Sequence, residues 1–243
     1  MRKFTALTAF VLLATLLLTA CQPQPQSAIS EYDYSQMQLV QTQILQGELD
    51  DDRPVAVITT THGEIRVALF PEYAPATVAN FIENVKEGFY DDIDILGIQQ
   101  QAVFYTGSDS DGQVKKDENG EAITIPNEYS VNMWPFKGAV GSFGSMAGVG
   151  DSRFFIINQE SMTKEDFERL REMKVNEEEA LPDKLVDAFE KFGCAVAFSG
   201  FYTIFGQVIG VEGTQVVETI CESRVDRRMR PLDEIKIIKI ELE

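Results

Sequence analysis

Beyond residue 54 the chain runs in short blocks of alternating apolar and polar positions. VAVITT and EIRVALF are β-branched alternations separated by Thr61-His62-Gly63, which predicts two strands joined by a hairpin. The period then changes. Ala74-Pro75-Ala76-Thr77 opens a helix with proline in its first turn, Val78, Phe81, Ile82 and Val85 form one apolar face, and Gly88 is the stop. Further short strands are predicted at 102–106, 122–125, 142–147, 154–157, 202–208 and 235–242, with a second helix over 214–221. Many short strands with few helices predict a mainly β fold built on a closed antiparallel barrel.

Two regions depart from that pattern. Residues 158–193 are acidic and helical: Thr163-Lys164-Glu165-Asp166 has the form of a capping box, and LVDAFEKFG has a helical apolar face and a terminal glycine. This stretch reads as an insertion on the barrel rim. Residues 21–54 begin with QPQPQ after Cys21 and close on Asp50-Asp51-Asp52, the composition of a tether. Met37, Val40, Ile44 and Leu45 within it fall at near-helical spacing and predict one short helix packed on the domain.

Residues 1–20 read as an export signal. Arg2 and Lys3 form the positive end, and the apolar run 6–18 is shorter than the ~20 residues of a membrane span. The run ends in Leu18-Thr19-Ala20-Cys21, which resembles the bacterial lipobox and implies a diacylglyceryl-modified Cys21. At ~0.8 kcal/mol per buried methylene, two acyl chains hold a protein firmly to a membrane surface. The expected location is the extracytoplasmic face of a bacterial cell membrane.

The 21 basic and 39 acidic residues give a net charge of −18, which becomes −20 once Arg2 and Lys3 are removed. Nucleic acid is excluded as a partner, because a polyphosphate backbone needs a basic surface. His62, the single histidine, lies in the hairpin turn with no Ser, Cys or Asp spacing to support a triad. Cys194 and Cys221 form no metal motif, and their spacing leaves open whether they pair. The loop GSDSDGQVKKDE puts Asp109, Asp111, Gly112 and Glu118 at EF-hand loop positions but starts on Gly107, so the expected reading is a solvated acidic turn and no metal site.

Three segments, EIRVALFPEYAPATVANFIENVKEGFY, GSMAGVGDSRFFI and FGQVIGVEGTQVVETI, resemble in order the motifs of cyclophilin-type peptidyl-prolyl cis-trans isomerases. The resemblance covers residues 55–243 and is greatest to surface cyclophilin lipoproteins of Gram-positive bacteria. It implies an eight-stranded antiparallel barrel capped by two helices. The implied reaction is rotation about an X–Pro bond, whose barrier is ~18–20 kcal/mol. That chemistry needs a pocket for the proline ring, a polar clamp and a donor that favours the twisted amide, and no cofactor. The implied substrates are proline-containing exported polypeptides, handled by a monomer.

The active-site letters of the family are largely replaced. Counted from Tyr90, the family's catalytic arginine position falls on Gly97, the pocket Phe and Met on Ala102 and Val103, and the supporting glutamine on Tyr105. On the opposite wall Met146 and Ala147 keep the S-M-A pattern, Gly148 replaces asparagine, Phe155 keeps the pocket phenylalanine, and Tyr202 replaces histidine. Arg153 stands where glutamine is usual. Two residues apart on a strand, Arg153 and Phe155 share a face, so Arg153 is the candidate substitute donor, against the plainer reading of a rim arginine paired with nearby acids. Two functions follow: a lipid-anchored folding isomerase with a weakened active site, or a cyclophilin-like module that binds peptide without turnover.

Overall fold

A computed structural model describes residues 27–50, 52–109, 111–159, 162–176 and 179–243. Residues 1–26, which include the expected export signal and Cys21, lie outside the described residues. No described helix is long and apolar enough to cross a membrane.

Eleven strands follow in chain order: β1 (Val55–Thr60), β2 (Gly63–Leu69), β3 (Ile93–Asp94), β4 (Gly97–Gln99), β5 (Val103–Thr106), β6 (Ile125–Pro126), β7 (Ala139–Ser142), β8 (Val149–Gly150), β9 (Phe154–Ile157), β10 (Thr203–Ile209) and β11 (Lys236–Leu242). The helices are α1 (Val40–Leu45), α2 (Pro75–Lys86), α3 (Lys164–Glu172), α4 (Asp183–Phe192) and α5 (Val211–Cys221). Nine strands form one curled antiparallel sheet in the order β3-β11-β1-β2-β10-β7-β9-β5-β4, and β6 pairs with β8 apart from it.

The predicted barrel is present but not fully closed. Its end strands, β3 and β4, are successive pieces of one segment. Ile95 donates to Ile235 on one side at 3.0 Å, and Leu96 donates to Tyr105 on the other at 2.7 Å. The chain therefore bridges the two sheet edges with single hydrogen bonds where a long continuous strand would be needed for a complete ladder. A strand expected over 142–147 ends at Ser142, and 139–141 belong to it instead. The chain leaves the sheet at Gly144, where a Cβ would stand 2.6 Å from the Val149 carbonyl. Around 122–125 the ladder reduces to Ile125–Pro126 and one bridge from Lys116 to Ala122.

The main core lies inside the curl. Phe81 of α2 meets Tyr90, Phe154 and Phe205 at ring distances of 5.3–5.6 Å, and Val217 and Ile220 of α5 close the other end. The first turn of α2 has no local side-chain cap. Glu128 supplies it, accepting from the Ala76 and Thr77 amides at 2.9 and 2.8 Å and from the Thr77 hydroxyl at 2.7 Å.

Outside the sheet, the insertion and the segment before β1 build a second core together. Tyr34 and Met37 pack with Phe167, Leu170, Leu185 and Phe189 around Trp134, which is 1 % exposed. The capping box at Thr163 and Asp166 forms as its sequence predicts. From Ser27 on, the N-terminal segment lies against the domain: Ser27 and Ala28 bond to the carbonyls of Ser199 and Gly200 at 2.7 and 2.9 Å. In α1, the fully buried Gln41 accepts from the Trp134 amide at 2.7 Å and donates to the Trp134 carbonyl and to Gln207 at 2.9 and 3.0 Å.

Cys194 and Cys221 are both free and buried, in different clusters. Burial pushes each thiol up to about 12, because the thiolate cannot be solvated. The folded state thus holds these protons more tightly than the unfolded one, and that contribution to stability is lost as pH rises above the ordinary thiol range. We expect neither thiol to react with iodoacetamide at pH 8 in the native protein and both to react in denaturant. Gln41→Ala strands the Trp134 amide and the Gln207 carbonyl oxygen. At ~1–3 kcal/mol for each of the two unmet buried groups, the variant loses about 2–6 kcal/mol, read as a lower urea midpoint by the fluorescence of Trp134, the single tryptophan.

Candidate functional site

The register of four strands lays one row of residues across the outer face of the sheet. Gly97 pairs with Tyr105, Tyr105 with Phe155, and Phe155 with Gly141. Directly paired residues project to the same side, so the missing side chain of Gly97, the Tyr105 phenol and the Phe155 ring belong to one surface. The Phe155 ring lies flat against the bare backbone of Gly141, where any Cβ would fall inside contact distance of three ring carbons.

Phe155 is the floor, and it is covered. Its ring centroid is 5.1 Å from Phe198, 5.3 Å from Tyr202, 6.2 Å from Tyr105 and 6.3 Å from Phe143, and it is 0 % exposed. Each such aromatic pair contributes ~0.5–1.5 kcal/mol beyond area burial. Phe198 and Phe143 are cluster members that sequence reasoning missed. The signal available was weak: Phe198 lies just after the 158–193 insertion, and Phe143 precedes the S-M-A match.

The open part of the site lies beside this cluster. A groove of about 420 Å3 is lined by Tyr202 and by Ser145, Met146, Ala147 and Gly148, with Asn127 and Tyr129 opposite. Met146 is 65 % exposed and Tyr202 36 %, so the groove offers an apolar, aromatic surface to an extended chain. Tyr105 packs behind this groove, its ring 5.5 Å from Phe143 and 6.2 Å from Phe155. Burial, and then the neighbouring Tyr202 phenol, hold its hydroxyl above its ordinary pKa, so it remains an O–H at neutral pH.

The remaining expected residues separate from that groove. Val103 is 1 % exposed and packed beneath the surface with Phe155. Ala102 borders a different cavity, about 550 Å3, lined by Gln99, Gln100, Gln101, Asn158 and Gln159. Gly97 sits at the sheet edge, with the Met229 carbonyl 3.5 Å from where its Cβ would be.

Arg153 is held by an acid. Its Nε and Nη2 reach the two carboxylate oxygens of Asp151 at 2.9 and 2.6 Å, Nη2 also reaches the Ser145 hydroxyl at 2.7 Å, and the guanidinium lies 4.9 Å above the Phe143 ring. The Asp151 side chain is only 2 % exposed, so this is a bidentate, charge-assisted pair at the wall of the groove. The loop that carries it is fixed from below. Tyr90 donates to the Ser152 carbonyl at 2.8 Å, and Ser152 donates to the Gly107 carbonyl at 2.9 Å while accepting from the Lys115 amide at 3.1 Å. Gly107 has φ +94°, and a Cβ there would stand 2.6 Å from the Ser152 carbonyl, which only glycine avoids. Nearby, the Asp109 carboxylate accepts from the amides of Asp111 and Gln113 at 3.0 and 2.7 Å, as a turn residue does.

The chain is thus a mainly β protein, a curled antiparallel sheet capped by two helices with an aromatic groove on its outer face. Residues 55–242 match the family model described as "Cyclophilin type peptidyl-prolyl cis-trans isomerase/CLD". The chain belongs to this family. A Staphylococcus aureus protein named "Putative peptidyl-prolyl cis-trans isomerase" is 26 % identical over 204 residues, covering 83 % of this chain and 95 % of that one. A Streptococcus pyogenes protein named "Putative bifunctional phosphatase/peptidyl-prolyl cis-trans isomerase" is 26 % identical over 191 residues, 78 % of this chain and 38 % of its own length. Among solved structures, a Cryptosporidium parvum cyclophilin type peptidyl-prolyl cis-trans isomerase superposes with a TM-score of 0.56 at 18 % identity, covering 79 % of this chain and 97 % of that one.

The packing of Phe155 on Gly141 is open to a direct test. Gly141→Ala forces the ring off its seat and costs about 1–3 kcal/mol by overpacking, measured as a lower thermal midpoint, whereas Gly148→Ala, whose Cβ meets nothing within 4 Å, costs only its positive φ.

Proposed function

We propose that this protein is a cyclophilin-type prolyl isomerase of low turnover, tethered through a lipidated Cys21 at the extracytoplasmic face of a bacterial membrane. Its substrates are proline-containing segments of exported polypeptides. The observation that carries the low turnover is the identity of position 97. It lies in the row with Tyr105 and Phe155 and is glycine, so the family's arginine donor is absent from the place it would act. Loss of one preorganised donor costs ~2.7–4 kcal/mol of transition-state stabilisation, about a hundred- to a thousandfold in rate.

Two groups beside the groove supply donors in its place. Arg153 spends Nε and Nη2 on Asp151 and Ser145, which leaves the N–H groups of Nη1 for a peptide carbonyl. The Tyr105 hydroxyl is the other. Neither is an uncommitted cation, which agrees with slow catalysis. A second reading, binding without turnover, has its own support: Phe155 is 0 % exposed beneath Phe198 and Tyr202, so the slot for a proline ring is filled unless those rings move.

A proline-peptide isomerisation assay on the unlipidated chain (Cys21→Ser) separates the two. We expect a rate above the blank, a rise of at least about tenfold in Gly97→Arg, and a fall of about tenfold in the pair Arg153→Ala with Asp151→Asn. The paired change avoids stranding a buried carboxylate, which alone would destabilise the fold. A rate equal to the blank in every variant establishes the binding reading.

A further inference from the structure

The hairpin between β4 and β5 forms one wall of the cavity that Ala102 borders, apart from the groove. Its turn is tight: the Ala102 amide donates to the Gln99 carbonyl at 3.0 Å, and Gln101 takes φ +63°. The turn is docked on the C-terminal end of α5, where the Gln101 amide donates to the Cys221 carbonyl at 3.1 Å and the Gln100 side chain to the Ser223 carbonyl at 3.2 Å. The end of β9 closes on it from another side, with the Asn158 and Gln159 amides both donating to the Ala102 carbonyl, at 2.6 and 3.0 Å. Three elements far apart in the chain are thus fixed around a space of about 550 Å3.

Acceptors dominate the wall of this space. Glu218 and Glu222, one turn apart at the end of α5, border it together with the side-chain amides. Glu218 is answered by Lys137 at 2.6 Å, whereas Glu222 is exposed and forms no ion pair among the described residues. One carboxylate is therefore uncompensated, and it stands at the end of a helix whose last carbonyls already make that end negative. Asn158 is an independent sign. It borders the same cavity, is 5 % exposed, and its Oδ1 has no hydrogen-bond partner among the described residues. A buried acceptor left unmet is costly, and a donor brought into the cavity relieves that cost.

We propose that this cavity binds a primary ammonium group, the head of a lysine side chain on a bound polypeptide. An ammonium is a compact cation with three donors that separate acceptors can share, whereas the planar fork of a guanidinium calls for a matching planar partner. A metal ion is poorly served, since no group of three or more His, Cys, Asp or Glu able to hold one occurs among the described residues. The chain's net charge of −18 draws basic segments toward its surface, and Glu222 gives them a place to settle. Binding here needs nothing from the groove, whose lining shares no residue with this cavity.

The test is a titration of the full chain in unlipidated form (Cys21→Ser), followed by NMR of its side-chain amides. The ligands are the capped tripeptide Gly-Lys-Gly, its norleucine and arginine counterparts, and the free diamine cadaverine. We expect the lysine peptide to shift the Asn158 and Gln159 side-chain signals to saturation and the norleucine peptide to leave them unmoved. Glu222→Gln weakens the lysine peptide about three- to tenfold, with the loss shrinking in high salt. Asn158→Leu weakens it by a similar factor without lowering the thermal midpoint, because the oxygen removed had no partner. Glu243→Gln, at an exposed carboxylate outside the cavity that pairs with Arg66, leaves the affinity as in the wild type. Equal shifts from the norleucine peptide, or an arginine peptide that binds as tightly as the lysine one, overturn the ammonium site. Saturation by cadaverine with no response to the lysine peptide overturns the polypeptide as the source. None of these ligands contains proline, so each outcome is separable from the fate of the isomerase reading.

Discussion

The contact on which the site depends is the ring of Phe155 lying on the uncovered backbone of Gly141. A ring can sit that low on the outer face of a sheet only where the neighbouring strand carries no side chain. Once seated there it provides a base on which Phe143, Phe198, Tyr202 and Tyr105 converge from three different stretches of chain. The same register aligns Gly97 with that row and places the Arg153 loop at its end. Shifting β9 by one residue would turn Phe155 into the interior and exchange it with Phe154, which packs on Phe81 and Tyr90 inside the curl.

Polar groups with nowhere else to bond hold the layers around that contact. Tyr90, Ser152, Gly107 and Lys115 lock the loop before β9 through buried hydrogen bonds, and Gln41 and Gln207 tie the N-terminal helix to Trp134 and the sheet. Buried bonds of this kind are costly to break because the stranded partner cannot return to water. The exposed pairs of Arg171 with Asp183, Asp187 and Glu190 at the insertion surface contribute far less, since water and salt screen them. The insertion is therefore anchored by its apolar faces around Trp134, with the ion pairs as trim.

The family frame rests on backbone position and ring packing. Tyr90, Gly107 and Phe155 support backbone position or ring packing, while Met146 and Ala147 line the groove. Of the other expected site residues, Gly148 and Tyr202 line the groove, whereas Val103 is buried and Ala102 borders a separate cavity. The cation nearest the aromatic floor, Arg153, is neutralised by a carboxylate that is itself buried, so any donor it offers is held in a fixed geometry and partly spent.

Much of the architecture was legible in the sequence, because hydrophobic period is a local property. The alternation of β1 and β2, the apolar face of α2, the capping box at Thr163 and the run FFII each formed near their expected places. Position 97 was legible too, as an absence at a countable distance from Tyr90. What the tertiary structure alone decided depends on partners far apart in the chain. Glu128 caps α2 from 51 residues away, Gln41 meets Gln207 across 166, and the Met229 carbonyl closes the edge of β4 at Ile98. No local pattern encodes which distant amide a side chain will meet, or that Phe198 will roof Phe155. Those outcomes were set by packing in three dimensions.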